Sequence, residues 1–180
     1  MNNSISAIII AYFPDEKFIQ RNIKILSLQV DKVFIINNTP EQDLNLDGAV
    51  VVNLGDNLGI ARAQNIGLEL AIEQHFKYSI LFDQDSDIDV GMVESMLNKL
   101  STMSSEKVAS IGPRTFDLFE GKPMKSKIMR ESNTGHALTE VKQIIASGQL
   151  IPLYVLSDIG FMDETLFIDA VDHEWCWRAG

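Results

Sequence analysis

The sequence predicts an α/β domain with a mostly parallel, Rossmann-like sheet flanked by helices. Three features predict it: apolar runs rich in β-branched residues, helical stripes between those runs, and polar turn chemistry where the runs end. A buried parallel strand reads as an unbroken apolar run because helices cover both of its faces.

The elements follow in order. Residues 5–12, ISAIIIAY, read as a first strand, and Ile19, Ile23, Leu26 and Val30 then fall on one helix face. KVFIINN (32–38) is a second strand closed by Asn-Asn-Thr-Pro, and AVVVNL (49–54) is a third. Ile60, Ala63, Gly67, Leu70 and Ala71 form another helical stripe, with Asn57 placed to cap it. YSILFD (78–83) is a fourth strand. Val90, Val93, Leu97 and Leu100 mark a third helix, and VASIGP (108–113) a fifth strand. Residues 114–135 are polar and irregular, with a basic run of Lys122, Lys125, Lys127 and Arg130. VKQIIASG (141–148) reads as a strand and 151–160 as a short helix closed by Gly160. Residues 166–180 start as a strand and turn helical near Val171. The last stripe is still in phase at Arg178, so the expectation is one domain, 1–180, cut short at its C-terminus.

Composition narrows the function. A chain of 180 residues can build one core. A net charge of −10 argues against a general grip on nucleic-acid phosphates, so phosphate handling would need a metal ion or a local basic patch. The one cysteine, Cys176, permits no internal disulfide or zinc cluster and fits a reducing compartment. The start, MNNSIS, has no basic region, and Ile8–Ile10 is too short for a leader or a membrane span. The expected location is cytoplasmic.

The segment ILFDQDS (80–86) places Asp83 and Asp85 at the carboxyl end of a strand, where ligands sit in open α/β sheets. Two hard oxygen donors suit Mg²⁺ or Mn²⁺, and such an ion also binds phosphate oxygens. A solvated turn explains the same pair on its own, because Asp and Ser favour turns. The first strand runs into Ala11-Tyr12-Phe13-Pro14, so the glycine-rich dinucleotide and Walker loops are absent where they belong. Asn57, Gly59, Arg62 and Asn65 surround a helix start, which favours anions. A cap, a packing glycine and a surface ion pair account for the same residues. The tail holds Asp169, Asp172 and Glu174, and the helix dipole by itself favours an acid at Asp172.

Taken together, YFPDE, IINNT, NLGDNLGIARAQNIG, ILFDQDS, IIASGQLIP and FIDAVDHEWCWR resemble, in this order, the family-two glycosyltransferases of the GT-A fold. The DQDS form and the closing LFIDAVDHEWCWR look most like the bacterial rhamnosyltransferase branch. The resemblance covers nearly the whole chain. It implies a nucleotide-sugar-binding half, 1–113, and an acceptor half, 114–180.

By that resemblance Tyr12 and Pro14 line the nucleotide pocket, and Asn37 and Asn38 contact the base. Asn57, Arg62 and Asn65 lie on the nucleotide side. Asp83 contacts the sugar nucleotide, and Asp85, with Asp83, holds Mg²⁺ or Mn²⁺ on the diphosphate. Asn37 departs from the aspartate many relatives carry there. An Asn can still pair with uracil or thymine. Asp172 matches the catalytic base, although Val171 stands where relatives have glutamate; Asp169 or Glu174 is then open to carry part of that role. Ser147, Gly148 and Glu174 fall on the acceptor side. Relatives often carry a further metal-binding histidine beyond the point where this chain stops.

The implied activity is inverting transfer of rhamnose from dTDP-rhamnose to a glycan or lipid-linked acceptor in cell-surface polysaccharide synthesis. The basic run would then allow peripheral contact at the inner face of the plasma membrane. Alternatives are a UDP-sugar donor and a non-catalytic nucleotide-sugar-binding fragment. A D-x-D phosphohydrolase would carry its aspartates after the first strand, and a nucleotidyltransferase would need a glycine-rich loop there. Core packing is expected for Trp175, Trp177 and Cys176, and no metal role for His75, His136 or His173.

Overall fold

The computed structural model describes residues 4–103, 108–113, 116–117, 122–123, 132–133 and 139–180. Strand β1 (Ile5–Ala11) is buried along its whole length. Helix α1 (Glu16–Leu26) follows, and its start is fixed by Asp15, whose carboxylate accepts from the Lys17 and Phe18 amides. Then come β2 (Lys32–Asn37), β3 (Val50–Asn53), α2 (Ile60–Glu73), β4 (Tyr78–Asp83) and α3 (Met92–Ser101). Four short strands form two separate hairpin ladders, β5 (Phe116–Asp117) with β6 (Lys122–Pro123) and β7 (Ser132–Asn133) with β8 (Thr139–Glu140). The chain closes with β9 (Gln149–Pro152), a 3₁₀ turn at Leu153–Val155, α4 (Leu156–Ile159) and α5 (Val171–Ala179).

The main sheet has the order β3-β2-β1-β4-β9. The first four strands are parallel, and β9 is antiparallel to β4. Alternation along β1 divides the core into two layers. Ile5, Ala7 and Ile9 pack with Ile19, Ile23 and Leu26 of α1 and with Val93, Met96 and Leu100 of α3. Ile8 and Ile10 pack with Ala61, Leu68 and Ala71 of α2 and with Val171, Trp175 and Cys176 of α5. Helix α2 comes close to the sheet at Gly67, where an added Cβ would lie 2.5 Å from Ile8 Cγ2.

Several expectations change at the edges. Val30 lies beyond the end of α1, and Val90, 75 % exposed, lies before α3. Residues 108–113 form no full strand: Ile111 makes one bridge, to Leu150, before the run ends in Gly112-Pro113. Proline has no N–H to extend a ladder. The fifth strand is instead β9, and 141–148 is the turn leading into it, with the Gly148 amide donating to the Leu81 carbonyl. Residues 166–169 are no strand either, with Phe167 and Ile168 largely exposed. Trp175 is fully buried and its Nε1 donates to the Gly160 carbonyl, whereas Trp177 is exposed, against expectation. Lys125, Lys127, Arg130 and His136 lie outside the described residues. Among the described residues no helix is long and apolar enough to cross a membrane.

Candidate active site

The strand order reverses between β1 and β4, because β1 leads to β2 on one side and meets β4 on the other. In open α/β sheets this switch point is where a crevice opens above the carboxyl ends of the strands. Asp83 stands there, the last residue of β4, paired in register with Ile10. Burial pushes its carboxyl above the ordinary aspartate range, and the nearby Asp85 and Asp172 carboxylates push it further. The sheet end therefore brings Asp83 within electrostatic range of the acid that opens α5.

Asp172 is held by two backbone donors. The Ala146 amide donates to Oδ2 at 3.3 Å, and the His173 amide donates to Oδ1 at 2.8 Å. His173 Nε2 lies 3.9 Å from the same Oδ1. The loop that supplies Ala146 also carries Ser147, whose hydroxyl meets Ser86 Oγ at 2.5 Å. Gly148 completes it at φ +85°, with Pro113 so near that a Cβ would sit 2.8 Å from its ring. Asp169 is exposed and precedes the helix.

Asp83 and Asp85 take part in none of the ion pairs among the described residues. Like-charged carboxylates at a partly buried strand end, without a cationic partner, are a donor set that a divalent ion would relieve. Among the described residues no third His, Cys, Asp or Glu joins them as a ready-made ligand cluster. The pair offers two carboxylates to a divalent cation, which would need further oxygen donors from outside this cluster.

On the other wall, Tyr12 is 45 % exposed, Phe13 is held at φ 45°, and Pro14 is partly exposed. The polar residues after β2 are placed differently from expectation. Asn37 is fully buried: its Nδ2 donates to the Gln42 carbonyl and Asn53 Oδ1, and its Oδ1 accepts from the Thr39 amide. It anchors the turn and presents no surface to a base. Asn38 is nearly buried, donating to Asn57 Oδ1 and accepting from the Leu58 amide.

Asn57 does not occupy the capping position of α2, which is Gly59. Its Oδ1 accepts from the Gly59 amide. The first α2 donor, the Ile60 amide, is taken by the Phe167 carbonyl at 2.7 Å. That contact takes one donor of the helix end expected to bind anions, and Gly59 is required because a Cβ would lie 2.7 Å from the Phe167 oxygen.

Arg62 and Asn65 work together on the 162–164 segment. Arg62 pairs with Glu164 and Glu69, while Asn65 binds both backbone groups of Met162 and the Glu164 carboxylate. The amide of Asn65 and the guanidinium of Arg62 hold the Glu164 carboxyl below its ordinary range. Glu174 is likewise committed, to Arg178, which also donates to the Ile159 and Phe161 carbonyls. Arg62 and Asn65 thus tie the 162–164 segment to α2, and Arg178 ties α5 to the chain at 159–161.

The structure also reveals residues that sequence reasoning missed: Gln84, Thr39, Ser86, Glu164 and Arg178. Gln84 and Ser86 carried a signal through their place inside DQDS, Thr39 through IINNT and Arg178 through EWCWR, whereas Glu164 carried none.

No family model matches the chain. In sequence it is 33 % identical over 192 residues to dTDP-rhamnosyl transferase RfbF of Shigella flexneri, an alignment that takes in 99 % of this chain. The chain is a relative of a bacterial rhamnosyltransferase. It spans 64 % of that relative's length. Two solved structures share its fold. TarS of S. aureus superposes with a TM-score of 0.69 at 16 % identity, covering 98 % of this chain and 33 % of that one. GalNAc-T7, crystallised with UDP, GalNAc and Mn²⁺, gives 0.70 at 11 % identity, covering 98 % and 40 %. The fold is the GT-A glycosyltransferase fold, as the motifs had implied.

Proposed function

We propose that the chain is the nucleotide-sugar-binding and base-bearing part of an inverting glycosyltransferase that moves rhamnose from dTDP-rhamnose to a glycan or lipid-linked acceptor in cell-surface polysaccharide synthesis. The observation that carries this reading is the place of Asp83 at the switch point of a GT-A sheet, within electrostatic range of both Asp85 and Asp172. Residues 1–113 serve the donor and 114–180 the acceptor.

The chain's own groups have distinct tasks. Tyr12 and Pro14 wall the nucleotide pocket. Asp172, oriented by the Ala146 and His173 amides, takes the proton from the attacking acceptor hydroxyl. A positioned base of this kind contributes about 10²–10⁴-fold in rate. The hydroxyl oxygen bonds to the anomeric carbon as the bond to the diphosphate breaks, with inversion. Asp83 and Asp85 would hold Mg²⁺ or Mn²⁺, which supplies neutralisation of the diphosphate charge. Only one base is needed in such a site, which separates it from the acid–base carboxylate pairs of glycosidases.

The test is release of dTDP from dTDP-rhamnose in the presence of a panel of rhamnose-containing oligosaccharides, with and without Mn²⁺. Asp172→Asn is expected to cost at least about 100-fold while donor binding persists. Equal turnover by Asp172→Asn would remove the base assignment. Preference for UDP-sugars over dTDP-rhamnose would overturn the donor.

A further inference from the structure

The parallel ladder between β1 and β4 ends at Ile10↔Asp83. One residue later, the Gln84 side chain makes the contacts that a continuing backbone would have made. Its Oε1 accepts from the Tyr12 amide at 2.6 Å, and its Nε2 donates to the Tyr12 carbonyl at 3.0 Å. A primary amide carries an acceptor oxygen and a donor nitrogen side by side, so it can both accept from and donate to a single residue's backbone. The backbone of β4 is thereby free to turn away, with Ser86 N closing on the Asp83 carbonyl.

The same turn is held from its other side. The Phe13 amide donates to Thr39 Oγ1 at 2.9 Å, and Thr39 is fully buried. The Thr39 amide in turn donates to Asn37 Oδ1. Phe13 sits in the left-handed region at φ 45°, a conformation that a non-glycine residue keeps only when its surroundings enforce it. Gln84 and Thr39 bracket that residue, one through the amide before it and one through its own amide.

We infer that Gln84 is a positioning residue for the nucleotide. By clamping Tyr12 to the turn that carries Asp83 and Asp85, it makes the base-side wall and the diphosphate-side carboxylates one rigid cradle. The inference rests on the proposed donor site. Loss of the clamp raises the ordering cost of donor binding and leaves the base, Asp172, untouched, so it acts on affinity and spares the rate at saturation.

The experiment is calorimetric titration of dTDP into the wild-type chain, Gln84→Met and Thr39→Val, followed by donor KM and kcat. Methionine keeps the length of Gln84 and removes both hydrogen bonds. Gln84→Met is expected to weaken dTDP by about tenfold, the equivalent of one or two net hydrogen bonds, and to raise the donor KM with kcat retained. Thr39→Val is expected to shift affinity in the same direction, and it decides the matter if Gln84→Met does not fold. Wild-type affinity in both variants, or a fall in kcat with donor KM unchanged, would overturn the inference while leaving the donor site standing. Failure of the wild-type chain to bind any dTDP would overturn the proposed function and this inference with it.

Discussion

Ser86 and Ser147 meet hydroxyl to hydroxyl at 2.5 Å. Through this contact the turn bearing Asp85 is joined to the loop whose Ala146 amide holds Asp172. The Asp85 turn and the Asp172 loop are thus tied by this polar pair and by the Gly148 amide on the Leu81 carbonyl, with the Ser86 carbonyl pinned to α1 by Asn22 Nδ2. A double-mutant cycle of Ser86→Ala and Ser147→Ala is expected to show a coupling of about 1 kcal/mol in urea unfolding. Strict additivity would show that the pair contributes nothing.

Asp83 carries a cost to stability. Its folded-state pKa is raised, so the native state binds more protons than the unfolded state between the ordinary aspartate value and the raised one. Stability then falls as pH rises through that window. Asp83→Asn is expected to raise the Tm at pH 7, to give no such gain below the ordinary aspartate range, and to lose metal-dependent donor binding. A lower Tm at pH 7 would contradict this account.

Cys176 is expected to be chemically silent. It is buried between Ile144 and Gln149, and burial pushes its thiol pKa up, so little thiolate forms and reagents cannot reach it. A colorimetric thiol assay should read no fast-reacting thiol in the native protein and one per chain in denaturant. Rapid labelling of the native protein would show that α5 does not stay docked.

Gly67 is where α2 meets the sheet. Gly67→Ala puts a Cβ 2.5 Å from Ile8 Cγ2, a clash that only a shift of Ile8 or the helix relieves. Helix propensity favours alanine, but overpacking costs about 1–3 kcal/mol and should dominate. Chemical denaturation measures the difference. A stabilised variant would mean that the α2–β1 contact is looser than described.

The parts of this fold that were legible in the sequence are those set by local pattern. The β1, β2 and β4 runs, the α1 stripe and the DQDS turn each carry their signal within a few residues. What was not legible depends on partners distant in sequence. Residues 141–148 have the composition of a strand, but the edge of β4 is taken by Gln149–Pro152, and a one-edge competition leaves no local trace. Asn37 is expected from the resemblance to contact the base, yet its amide is taken by the Gln42 carbonyl and Asn53 Oδ1, which draw it inward. Arg62 and Asn65 read as ligand contacts because nothing nearby reveals Glu164, about 100 residues further on in the sequence.

The central claim is that Asp83 and Asp85 form the diphosphate end of a sugar-nucleotide site. It is tested most directly by calorimetric titration of dTDP with and without Mn²⁺, on the wild-type chain and on Asp85→Asn. The account predicts dTDP binding that Mn²⁺ strengthens in the wild-type chain, and loss of that metal effect in Asp85→Asn. Binding with the same affinity in all four titrations, or none in any, would contradict it.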